Sequence, residues 1–133
     1  MPEIDEKPKV LILDDEPVIA DTLAAILNHG GFVARAAYSS AQAFEIAPEF
    51  RPDLLISDVV MHGMSGIEAA VRMKEMLPDM GVFLLSGQTA TLQLLAEEKA
   101  DGYGFEVLIK PVHPSELLHR LRERIGQGNI GRR

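Results

Sequence analysis

Five apolar, β-prone runs punctuate the chain, with segments of helical period between them: "KVLIL" (9–13), "FVARAA" (32–37), "DLLIS" (53–57), "GVFLL" (81–85) and "FEVLI" (105–109). Strands built almost wholly of Val, Ile, Leu and Phe have no polar face to offer water, so a sheet made from them must be covered on both sides. The cover comes from the intervening segments. Ile19, Leu23, Ile26 and Leu27 recur at the spacing of one helix face, as do Ile67, Ala70, Val71 and Leu77, and later Leu117, Leu118, Leu121 and Ile125. Weaker helical patterns near 40–47 and 90–100 bring the expected helices to five. Strand and helix in alternation, joined by right-handed crossovers, predict an α/β fold with one doubly wound parallel sheet.

Punctuation along the chain agrees. Ser39 with Gln42, and Ser65 with Glu68, have the spacing of a capping box. Pro114 suits a first helical turn, and "HGG" at 29–31 suits the end of the first helix. A chain of 133 residues is one domain's worth, expected over residues 9–125, with a flexible N-terminus at 1–8 and a tail or linker stub, including "GQGNIGRR", at 126–133. There is no Cys, so disulfides and thiolate metal sites are excluded. "MPEIDEKPK" has no apolar centre for a signal peptide, and no run is long enough to span a membrane, so a cytoplasmic location is expected. A formal net charge of −7 argues against direct nucleic-acid binding, which needs clustered Lys and Arg.

Ligands of open parallel α/β sheets bind beyond the carboxyl ends of the strands. Here the first strand is followed by Asp14, Asp15 and Glu16, the third by Asp58, the fourth by Ser86 and the fifth by Lys110 and Pro111. Two carboxylates about 4 Å apart repel by about 1 kcal/mol in water and about 4 kcal/mol at a protein-surface dielectric. A cation relieves such a cluster, and oxygen ligands without Cys or His suit Mg²⁺ with a coordination position left for a phosphoryl oxygen. Lys110 and the Ser86 hydroxyl would hold the remaining phosphoryl oxygens.

In "VLILDDE", "LLISDVVMHGMSG", "FLLSG" and "VLIKPV" the chain resembles the response-regulator receiver domains of two-component signalling, in motif order and from about Lys9 to Ile125. The resemblance implies a sheet of order 2-1-3-4-5 with helices on both faces. It makes Asp58 the phosphoacceptor, Asp14, Asp15 and Asp58 ligands of Mg²⁺, and the Val60 carbonyl a further ligand. Ser86 takes the place of the switch hydroxyl, Lys110 that of the phosphate-contacting lysine, and the Lys110–Pro111 bond is expected to be cis. The phosphoryl donor would be a phosphohistidine of a sensor histidine kinase or a histidine phosphotransfer protein, and the output a downstream protein partner or an output domain outside this chain. By the same likeness the first helix meets the donor, and the face of the fourth helix, fifth strand and fifth helix meets the output.

Three positions depart from the family's pattern. Val107 stands where an aromatic switch residue is usual; Tyr103 and Phe105 are the nearby aromatics, and Phe105 reads most simply as core. His62 stands where proline commonly follows the methionine, and a solvated loop residue is its plainest reading beside a pH-sensing one. Val60 offers no polar side chain to orient a hydrolytic water, whereas Gln88 does, so slow spontaneous dephosphorylation is expected.

Each site residue also has an ordinary structural reading: Asp14 and Asp15 as acids at a helix N-terminus, Ser86-Gly87 as a turn, Lys110-Pro111 as a strand exit. Their joint match to one site favours the functional reading. Two other functions stand beside it. One is an Mg²⁺-dependent phosphatase or phosphotransferase with an Asp nucleophile, which would need an acid/base carboxylate near Asp58 that "VVMHGMSG" lacks. The other is a degenerate receiver that only binds partners.

Overall fold

The computed structural model describes residues 7–87 and 101–127. Five strands, β1 (Lys9–Leu13), β2 (Val33–Ala37), β3 (Leu54–Asp58), β4 (Gly81–Ser86) and β5 (Glu106–Ile109), form one parallel sheet of order β2-β1-β3-β4-β5. Among the described residues four α-helices accompany it: α1 (Pro17–His29), α2 (Ser40–Phe50), α3 (Gly66–Met76) and α4 (Pro114–Gln127). The helix expected near 90–100, Gln88, residues 1–6 of the expected N-terminal segment and residues 128–133 of the expected tail lie outside the described residues, and the last helix takes in residues 126 and 127.

The local signals act as their chemistry requires. Ser39 Oγ accepts the Gln42 N–H at 3.1 Å and Ser65 Oγ accepts the Glu68 N–H at 3.1 Å, each satisfying a donor that the helix start leaves unpaired. Pro17 and Pro114 open α1 and α4, where the missing N–H costs nothing. Beyond α1 the chain reverses through Gly31 at φ 100°, a conformation that a side chain would oppose.

Side chains alternate along each strand, so the sheet has two cores. Leu11, Leu13, Leu55, Val82 and Leu84 pack with Ala43 and Ala47 of α2 and Ile67, Ala70 and Met73 of α3. Val10, Ile12, Leu54, Ile56, Phe83 and Leu85 pack on the other face with Ala20 and Leu27 of α1 and Leu117 and Leu121 of α4. This explains why β1, β3 and β4 read as unbroken apolar runs. Fully burying each such Leu or Ile contributes about 1.5–3 kcal/mol.

Two boundaries differ from the sequence reading in a way that matters for the site. Asp58 and Ser86, expected just after their strands, are the last residues of β3 and β4. The parallel ladder runs on through them: Asp58 is in register with Leu85, the Val59 N–H donates to the Leu85 carbonyl at 3.0 Å, and Ser86 is in register with Ile109.

Candidate functional site

At the carboxyl edge of the sheet the first two acids after β1 face opposite environments. Asp14 is 1% exposed; its Oδ1 accepts the Glu16 N–H at 2.9 Å, whereas Oδ2 is buried without a hydrogen-bond partner. Burial holds its pKa above the ordinary carboxylate value, and the nearby Asp58 charge adds to the rise. Asp15 is more open, and its Oδ2 receives the His62 N–H at 2.9 Å and lies 2.7 Å from His62 Nδ1. Those bonds, led by the backbone donor, hold its pKa below the ordinary value.

Asp58 is 9% exposed and its Oδ1 lies 2.7 Å from Lys110 Nζ. One carboxylate oxygen from each of Asp14, Asp15 and Asp58 falls within 4.8 Å of the others. Three acids so close, one carrying a buried oxygen with nothing to bond, form a donor set that a hard divalent cation fits: all the side-chain ligands are oxygen, and a cation would offset the mutual repulsion of the carboxylates. Among the described residues, Asp14, Asp15 and Asp58 are therefore those able to hold a metal.

The remaining residues named from the sequence lie on or beside β4 and β5 and in the loop after β3. Ser86 is 2% exposed at the end of β4, and its carbonyl accepts the Lys110 N–H at 2.8 Å, so the β4–β5 ladder positions the lysine stem. The Lys110–Pro111 peptide is cis. Val60 lies in the loop after β3 and is 62% exposed. Val107, on β5 opposite Leu84, is half-buried against the α2/α3-side core. Phe105 packs on that core too, with Tyr103 stacked on it at 5.5 Å between ring centres.

Two contributors were not singled out in the sequence. A Cβ on Gly66 would sit 1.7 Å from the Asp58 carbonyl oxygen and 2.7 Å from Ser57 Oγ, so only glycine lets α3 start against the end of β3. The Gly66 N–H donates to the Val59 carbonyl at 3.0 Å, fastening the loop that carries Val60 and His62. The glycine of "MSG" was visible, but its need follows from backbone proximity alone. The second is the bond between His62 and Asp15, separated by 47 positions, for which no spacing rule exists.

A family model described as the response regulator receiver domain matches residues 10–122. The DNA-binding response regulator MtrA of Mycolicibacterium smegmatis is 32% identical over 123 residues, covering 90% of this chain and 51% of that protein. The phosphate regulon transcriptional regulatory protein PhoB of Pseudomonas aeruginosa is 32% identical over 130 residues, covering 90% of this chain and 54% of that one. This chain thus spans about half the length of these curated relatives. Among solved structures, a response regulator receiver domain protein from Clostridium thermocellum superposes with a TM-score of 0.78 at 28% identity, covering 90% of this chain and 95% of that one. Sheet order, acid-lined edge, family match and relatives agree: the chain belongs to the response regulator receiver domains, signalling modules of two-component systems.

Proposed function

We propose that Asp58 is the phosphoacceptor of this receiver and takes a phosphoryl group from a phosphohistidine on a sensor kinase or histidine phosphotransfer protein. The observation that carries this reading is the setting of Asp58: a nearly buried carboxylate at the end of the central strand, 2.7 Å from an ammonium and within 4.8 Å of two further acids. An Asp58 oxygen attacks phosphorus, the P–N bond to the imidazole breaks, and the imidazole leaves with the electron pair and takes up a proton. The product is an acyl phosphate on Asp58.

Lys110 offsets charge on the transferring oxygens and the Ser86 hydroxyl would donate a hydrogen bond to one of them. Mg²⁺, held by Asp14, Asp15 and Asp58 with the Val60 carbonyl as a further ligand, would supply Lewis-acid neutralisation of phosphoryl charge. The added charge on Asp58 biases the surface of the helix expected near 90–100, β5 and α4, with Val107 in place of an aromatic reporter. That surface would meet a downstream protein or an output domain; the named relatives are DNA-binding and transcriptional regulators. Because Val60 carries no polar side chain, the acyl phosphate is expected to outlast seconds.

Intact-mass analysis after incubation with Mg²⁺ and acetyl phosphate tests this. A gain of one phosphoryl group in the native chain, lost in Asp58→Asn, is the expected result. No gain would favour a module that only binds partners, and multiple turnover of phosphate esters would favour an enzyme.

A further inference from the structure

We infer that His62 is a positioning residue of the cation site: its backbone amide and its ring together hold the Asp15 carboxylate in place for a divalent cation. This rests on the reading of the acid cluster given above and gives the His62–Asp15 contact a role in it.

The three acids are fixed by different means. Asp14 is enclosed and bonded to Glu16, and Asp58 is enclosed and paired with Lys110. Asp15 is the most open, its side chain 19% exposed, and the bonds that orient it come from His62, in the loop after β3. Both bonds fall on Oδ2, at 2.9 Å from the amide and 2.7 Å from Nδ1, so the carboxylate is gripped through one oxygen and the other takes neither bond. With the proton on Nδ1 the ring donates.

The His62 side chain is fully exposed, so packing does not account for its orientation. The loop that presents it is anchored by Met61 and Met64 against the α2/α3-side core and turns at Gly63 with φ 78°. The buried, orphaned Asp14 Oδ2 independently marks the place as one that a cation completes. Donors behind a metal-ligating carboxylate pre-orient it, and losing them weakens metal binding.

The test is the Mg²⁺ dissociation constant of the full chain by titration calorimetry, for the native protein and for His62→Ala, His62→Phe and His62→Asn, with folding checked by circular dichroism. His62→Ala and His62→Phe should each bind about tenfold more weakly. His62→Asn, which restores a side-chain donor, should recover much of that loss. A role in shape alone predicts the reverse order, with Phe tolerated and Asn not, and would overturn the inference, as would equal binding by all four proteins. If the folded native chain binds no Mg²⁺, both this inference and the cation site fail; if it binds Mg²⁺ and the variants match it, only the role of His62 fails.

Discussion

β3 and β5 supply the two ends of one ion pair, Asp58 and Lys110, and they are built differently. All five residues of β3 are buried, with a strand on each side and a helix layer on each face. β5 is an edge strand in which only Leu108 is buried, and Ile109, the residue before Lys110, is 55% exposed. Asp58 therefore stands on a strand enclosed on every side, and Lys110 directly follows an edge strand. Segments with few buried contacts open at lower cost than the core, so the β5 side opens more readily than the strand that carries Asp58.

The contrast can be broken by mutation. Leu55→Ala, in the middle of β3, should cost about 4 kcal/mol in urea unfolding, whereas Val107→Ala on β5 should cost about 1 kcal/mol. Equal losses would show that centre and edge are held alike. Gly66→Ala should cost about 3 kcal/mol, because the new methyl must displace the carbonyl that precedes the β3 exit. A drop below about 1 kcal/mol would mean that α3 and β3 can separate without strain.

Asp14→Asn sharpens the same comparison through charge. Its raised pKa means that the native Asp14 contributes stability in full below the ordinary carboxylate value and loses it as pH rises through the raised one. In metal-free solution the variant should be about 1 kcal/mol more stable at neutral pH, and its stability should fall less as pH rises above the ordinary value. An unchanged pH profile would place the strain elsewhere. Smallest of all, Ile109→Ala should change stability by no more than about 0.5 kcal/mol; a larger loss would show that the β5 exit is packed after all.

Much of the fold was legible because its signals are local. Apolar runs such as "KVLIL" and "DLLIS" demanded a sheet covered on both faces, and Ser39, Ser65, Pro114 and Gly31 marked turns and helix ends through chemistry confined to a few neighbouring residues. The acids after β1 and β3 and the lysine after β5 were legible for the same reason, since parallel strands bring their carboxyl ends to one edge. Strand ends were less so: Asp58 and Ser86 belong to β3 and β4 because a neighbouring strand continues the ladder, which no single segment reveals.

What periodicity and composition settle is the architecture and the edge at which charge gathers, because both follow from which side chains water excludes. The difference between Asp14 and Asp15 is of another kind. Adjacent and chemically identical, one is driven up in pKa by burial and the other down by a histidine 47 positions away. Solvation and through-space hydrogen bonds depend on which distant atoms the fold brings near, and only the folded chain contains that information.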